Sequence, residues 1–198
     1  MNTLPETILQ QAQSAPEGAV LSPKEFLHLG SRAAVDQAFS RLTKAGKLLR
    51  IERGSYAAPV SSRFGTRAPA PEKVIMSLAE QTGETVVTHG ASAANILGLT
   101  QQVPIREVYL TSGRTRTLKL GHSEVQVKHA PSWMLALGAR PAGAVIRALA
   151  WLGPAHANQA LRQLRQALPW PEWQALASVR PSLPGWMAKA ISQEMVRG

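Results

Sequence analysis

The chain opens on a helical stripe: from Thr3 to about Ser14, Leu4, Ile8 and Ala12 recur at the spacing of one helix face. Ala15-Pro16-Glu17-Gly18 breaks that pattern, and the short apolar run Ala19-Val20-Leu21 predicts a minor strand. The densest organisation lies between Ser22 and Pro59. Ser22-Pro23 reads as a helix start, with Ser as N-cap and Pro at the first helical position, where its missing N–H costs nothing. Leu29-Gly30 predicts the end of that short helix, with Gly in a left-handed C-terminal position. Ser31 then caps a second helix that runs to about Ala45 and stops at Gly46.

That second helix has two faces. Val35, Ala38, Phe39 and Leu42 fall on one side, the side expected to be buried. Ala33, Gln37, Ser40 and Lys44 fall opposite, flanked by Asp36 and Arg41. Small residues permit close approach to a groove, Gln and Arg can read base edges, and Ser and Lys can hold phosphates. A ribbon follows: Leu48 to Glu52 alternates at strand period, Arg53-Gly54 offers a turn, and Ser55 to Ala58 returns. Helix, turn, helix and two-stranded wing in this order is the layout of a winged helix-turn-helix. The candidate DNA contacts are Ser31, Arg32, Gln37, Ser40, Arg41 and Lys44 on the second helix, with Arg50 and Arg53 on the wing.

Val60 to Pro71 shows little periodicity and is rich in Ser, Gly, Pro and Arg, which predicts a linker. A helix is expected from Pro71 to about Gln81, a strand at Thr85–Thr88, and a helix from Ala91 to Leu97 with Gly90 in the turn and Ser92 as cap. Strands at Val108–Thr111, Thr117–Leu120 and Val125–Lys128 are separated by short turns and suggest an antiparallel meander. After Pro131 the pattern is helical, with segments at about 132–138, 141–152, 157–168, 171–179 and 184–196. The expected fold class is α+β. Its parts are a winged helix-turn-helix over 1–62, a linker over 63–70, and a mixed domain over 71–198 with antiparallel strands and a helical tail.

Composition adds a partner class. The 198 residues carry a formal charge of +10, which favours an anionic partner. Residues through Thr66 hold eight basic and five acidic side chains, net +3; the remainder holds fourteen and seven, net +7. The positive charge therefore extends past the first domain. The absence of cysteine removes disulfides, thiolate metal sites and a Cys nucleophile. The N-terminus lacks a basic region followed by an apolar core, and the most apolar stretch, Trp133 to Leu152, is interrupted by Arg140, Pro141 and Arg147. A cytoplasmic protein without membrane contact is expected.

Catalytic chemistry is poorly represented. Asp36 is the sole aspartate, the glutamates are scattered, and no paired carboxylates are placed to hold catalytic cations. His28, His89, His122, His129 and His156 show neither metal-ligand spacing nor an adjacent carboxylate. No phosphate-binding glycine loop is present. These features speak against an enzyme and against a cofactor or metal. A second basic cluster, Arg106, Arg114, Arg116, Lys119 and Lys128, lies on the later strands and turns. It reads either as a surface for DNA phosphates or an acidic protein, or as a solvated sheet edge protected by charge. All five tryptophans fall in the helical tail; Trp170 and Trp173, flanking Pro171, are the candidates for partial exposure.

The wing Leu49-Arg50-Ile51-Glu52-Arg53-Gly54-Ser55-Tyr56-Ala57, the unit Val86-Val87-Thr88-His89-Gly90-Ala91-Ser92-Ala93-Ala94, and the strand Glu107 to Thr111 occur in that order along the chain. A basic antiparallel segment and a helical tail follow. This arrangement resembles the AbiEi family of abortive-infection antitoxins and related winged-helix transcriptional regulators. The resemblance covers most of the chain, although the helical tail matches only in type. It implies a repressor that binds the operator of its own operon as double-stranded DNA and counteracts a nucleotidyltransferase-like toxin through its C-terminal domain. The alternative is a stand-alone winged-helix regulator or a protein-interaction module without a toxin partner.

Overall fold

The computed structural model describes residues 3–197. They form a mixed α+β protein that divides into two compact units. The first comprises Met1–Glu84 and Arg116–Gln126; the second comprises Thr85–Thr115 and Val127–Gly198. The division is not contiguous in sequence, and the expected linker at 63–70 falls inside the first unit.

In the first unit, α1 spans Leu4–Ser14, with Glu6 folding back onto the Thr3 N–H at 2.8 Å. Strand β1 is Val20–Leu21. The predicted helix after Ser22 is a single 3-10 turn, Pro23–Phe26. Its capping box closes quickly, with the Ser22 N–H donating to Glu25. Phe26 is buried at its end, whereas Leu27, His28 and Leu29 are exposed and give a longer helix nothing to pack. Gly30 keeps a negative φ, unlike the left-handed cap expected there. Helix α2, Arg32–Lys44, ends before Gly46 at φ 69°. Its buried face, Val35, Ala38, Phe39 and Leu42, joins Ile8, Ala12, Leu21, Phe26 and Leu48 in one core. There the Phe39 ring meets Phe26 edge-on at 5.5 Å and Tyr56 at 4.8 Å.

Strands β2 (Leu49–Glu52) and β3 (Ser55–Ala57) form the ribbon, paired through Leu49↔Ala57 and Arg50↔Tyr56. The register shifts between Arg50 and Glu52, and Gly54 takes φ 79° in the turn. β1 pairs with β3 on its other side, giving the order β1-β3-β2. The segment expected as a linker is a second hairpin, β4 (Val60–Ser62) and β5 (Gly65–Arg67). Helix α3, Pro71–Thr82, ends on Gly83 at φ 68°. It holds β1 through Ser77, which accepts from the Val20 N–H, and Gln81, which donates to the Val20 carbonyl. Gly18 is required here: at φ 84°, an added Cβ would also run into Lys73.

In the second unit, β6 (Val86–Thr88) pairs antiparallel with β7 (Val108–Thr111) through Val87↔Leu110. Between them lies α4, Gly90–Ile96. Its N-cap is His89, whose Nδ1 accepts from the Ala91 N–H at 3.2 Å, and not Ser92. Gly90 is the first helical residue rather than a turn, and its bare Cα lies against the Arg147 carbonyl and Trp151. Strand β8 (Arg116–Leu120) belongs to the first unit. The long β9 (Ser123–His129) begins there and continues into the second, where it neighbours β7. The strands therefore do not form the expected meander.

The tail comprises α5 (Ser132–Leu135), α6 (Pro141–Leu152), α7 (Pro154–Leu164), α8 (Trp170–Val179) and α9 (Gly185–Val196). Val145, Ile146, Leu149, Leu161, Leu164, Leu176, Met187 and Ile191 fill its core. Polar contacts link its helices. Glu172 of α8 accepts from the Ala142 N–H at the start of α6 and from Arg140, Arg165 just after α7 meets Glu194 of α9, and Arg180 donates to Ser192. Arg147 of α6, 1 % exposed, donates to the Gly138 carbonyl. It thereby braces a connection in which Leu137 and Gly138 are both left-handed. Burial lowers its guanidinium to about 10.

Candidate nucleic-acid interface

The outer face of α2 is a continuous polar surface of the first unit. Ser31, Arg32, Ala33, Ala34, Asp36, Gln37, Ser40, Arg41 and Lys44 are all exposed, while the four apolar positions between them are closed into the core. At 1.5 Å per residue the stripe from Ala33 to Lys44 runs about 16 Å, three turns of helix. Its chemistry is graded along that length. The N-terminal turn carries Ala33 and Ala34, so the backbone can approach a surface closely. The middle carries the amide and hydroxyl of Gln37 and Ser40, and the last turn carries the cations Arg41 and Lys44.

Two of the candidate residues have local duties. The Ser31 hydroxyl accepts from the Ala34 N–H at 3.3 Å and caps the helix. Arg32 pairs with Asp36 one turn on, at 2.9 Å, with both side chains about half exposed. That pair fixes the direction of the guanidinium and offsets one charge. Arg41, Lys44 and Gln37 are left to set the character of the face.

The β2–β3 ribbon brings Arg50 and Arg53 to the surface. Arg50 is exposed on β2 opposite Tyr56, and Arg53 is exposed in the turn beside Gly54. Between them Ile51 points into the core and Glu52 turns toward β8. There Arg116 meets Glu84 at 2.9 Å and Glu52 at 3.6 Å, with 9 % of its side chain exposed.

This corrects the second basic cluster. Arg116 is an internal brace of the first unit and not part of an accessible surface; a strand position facing two carboxylates cannot be told from a solvated one without knowing its neighbours. Lys119 is exposed in the first unit; Arg106, Arg114 and Lys128 are exposed in the second.

Glu17, in the connection to β1, is a second internal anchor. It accepts from Lys73 at 2.5 Å, from Arg67 at 2.9 Å and from the Ala70 N–H at 3.1 Å. These donors lower its carboxyl to about 2. It ties the end of the β4–β5 hairpin to α3.

Sequence reasoning missed that hairpin, and with it Phe64 at its tip. The available signal was Ser62-Arg63-Phe64-Gly65: an aromatic within a stretch otherwise suited to a loop, followed by a glycine that permits a tight turn.

Among the described residues no group of three His, Asp or Glu side chains is placed to hold a metal ion, and no helix is long and apolar enough to cross a membrane. The Thr88-His89-Gly90 junction between β6 and α4 is accounted for by capping and packing. The His89 imidazole lies below its usual range, first because it is partly buried and second because Lys128 is near. In the second unit Trp170 is 59 % exposed, as expected, whereas Trp173 is 5 % exposed and belongs to the core. Arg165, Leu168, Trp170, Trp173, Glu194 and Met195 line a recess of about 230 Å³.

No curated protein matches the sequence. The fold is similar to the crystal structure of the RV2827C protein from Mycobacterium tuberculosis, at a TM-score of 0.50 and 16 % identity, covering 98 % of this chain and 82 % of that one. At that identity the likeness concerns the fold alone. A family profile matches residues 7–169, from the first helix through most of the tail, and the chain thus belongs to DUF6088, a family of unknown function.

Proposed function

We propose that the chain is a DNA-binding transcriptional repressor whose first unit acts as a winged helix-turn-helix on double-stranded DNA. The observation that carries this reading is the exposed stripe of α2. A solvated helix displays mixed Glu and Lys pairs, whereas this one offers small residues, an amide, a hydroxyl and terminal cations along three turns. In this reading α2 enters the major groove, with Gln37, Ser40 and Arg41 facing base edges and Lys44 facing a phosphate. Arg50 and Arg53 of the ribbon hold the adjacent backbone or minor groove.

The resemblance to abortive-infection antitoxins extends the proposal. The target is the operator of the chain's own operon, and the second unit counteracts a nucleotidyltransferase-like toxin in the cytoplasm. The exposed Trp170 beside the Arg165–Glu194 pair supports a protein-contacting surface on that unit, since aromatic and arginine side chains are the residues interfaces favour.

The direct test is a mobility shift with wild type and Arg41→Ala/Lys44→Ala on the upstream duplex. Loss of one base contact weakens binding by about 1–3 kcal/mol, and loss of a phosphate contact by less. Unchanged affinity in the double variant removes α2 from the reading role. Co-expression with a nucleotidyltransferase-like toxin, sought in the reading frame next to this one, tests the antitoxin half: rescue of growth by wild type is expected, and growth arrest regardless of this chain contradicts it.

A further inference from the structure

The β4–β5 hairpin is unusual for what it lacks. From Ser61 to Arg67 every residue is exposed. A two-stranded hairpin with no buried face is marginal in water, yet this one ends on Phe64, 85 % exposed. The tip is locally braced. The Ser62 hydroxyl accepts from the Phe64 N–H at 3.2 Å and donates to the Gly65 carbonyl at 3.1 Å. The Arg63 guanidinium lies 4.6 Å from the centre of the Phe64 ring. The base is anchored as well, through Arg67 to Glu17 and to the Ala68 carbonyl. Beside its strands a cleft is lined by Ala12, Gly46, Lys47, Val60, Ser61 and Thr66, so the hairpin rises next to the turn that ends α2.

An anchored ribbon thus presents one aromatic ring and one cation. We infer that this tip is a wedge for the minor groove of double-stranded DNA, with Phe64 entering a base step and Arg63 meeting the phosphates or the groove floor. The inference rests on the DNA-binding reading above and adds to it a site outside α2 and the β2–β3 ribbon. Proteins that kink DNA from the minor groove insert single apolar side chains between base steps with cations alongside. The other partners an exposed aromatic can serve fit less well. A stable protein interface buries about 800 Å² on each partner, far more than a two-residue turn flanked by Ser, Thr and Gly can supply. Single-stranded nucleic acid is held by successive stacking platforms, and here there is one ring. Wedge insertion is cheapest at flexible pyrimidine–purine steps, so the tip also predicts a sequence preference at positions that α2 does not read.

The test uses the full chain and duplexes carrying its upstream region, with 2-aminopurine replacing adenine at each TA or CA step in turn. Affinity is read by mobility shift and unstacking by the rise in 2-aminopurine emission. Wild type is expected to raise emission at one step. Phe64→Ala is expected to abolish that rise and weaken binding about tenfold, the scale of one lost aromatic–base contact. Phe64→Leu, still an apolar wedge, is expected to keep the rise. Because Phe64 is exposed, these variants leave the core intact. Wild type binding without any emission rise, or a rise undiminished in Phe64→Ala, overturns the wedge while leaving the α2 reading standing. If wild type fails to bind the duplex at all, both readings fall.

Discussion

Arg116 offers a sharp test of how the first unit is held together. Its guanidinium is ion-paired to Glu84 at 2.9 Å and to Glu52 at 3.6 Å. The arginine side chain is 9 % exposed and the two carboxylates 19 % and 16 %. Truncation to alanine leaves two poorly solvated carboxylates near one another without their cation. Breaking a buried pair in this way costs about 3–5 kcal/mol, and the residual exposure of the carboxylates places the expected loss near the lower bound. A loss of about 3 kcal/mol is a factor of more than one hundred in an equilibrium constant. Protection of β2, β8 and α3 amides in native-state hydrogen exchange should fall by that factor. Tryptophan fluorescence is the wrong probe, since every tryptophan lies in the second unit. The variant Arg116→Met/Glu52→Gln/Glu84→Gln, which removes all three charges, should recover most of the loss. If Arg116→Ala retains wild-type protection, the side chain is an ordinary surface cation and the brace does not exist.

Other positions give independent checks. Gly90→Ala places a Cβ against the Arg147 carbonyl and within 2.7 Å of the Trp151 Cβ; the expected cost is about 1–3 kcal/mol, read as a lower urea midpoint by tryptophan fluorescence. Trp173→Ala should destabilise the helical tail by about 3–5 kcal/mol, whereas Trp170→Ala should leave the midpoint close to wild type because its ring is largely in solvent. Glu17 titrates at about 2 when folded, against an ordinary value of 4.5. Its contribution is therefore fully present above pH 4.5 and is lost as pH falls toward 2. Hydrogen exchange of β1 and α3 amides should show this loss in wild type, and Glu17→Gln should remove that part of the pH dependence.

The readable parts of the chain were those where local pattern and tertiary burial agree. The α2 stripe is a case in point: Val35, Ala38, Phe39 and Leu42 mark the inner face by spacing alone, and the outer residues follow. Proline and glycine punctuation placed the tail helices to within a few residues at most ends. The failures have a common cause, which is dependence on distant partners. Arg116 looks like any strand arginine until Glu52 and Glu84 are beside it. The 60–67 hairpin buries almost nothing, so no hydrophobic alternation announces it. Packing of β8 against β2 in the first unit crosses more than thirty residues of intervening chain, and composition carries no trace of that. The 3-10 turn after Ser22 shows the opposite case, a strong local start signal that tertiary packing cuts short after Phe26.

The central claim is that α2 and the β2–β3 ribbon hold specific DNA. It is tested most directly by a mobility-shift titration of the purified chain on its upstream duplex, with scrambled competitor, across a series of salt concentrations. With Lys44, Arg50 and Arg53 as the phosphate contacts, log affinity should fall with log salt at a slope of about −3. Arg41→Ala/Lys44→Ala should weaken binding and, through the lost Lys44 phosphate contact, bring the slope closer to zero by about 1. Preference for the upstream duplex with that slope is the predicted result. Equal affinity for upstream and scrambled duplexes, with a slope that the double variant does not change, would contradict the account.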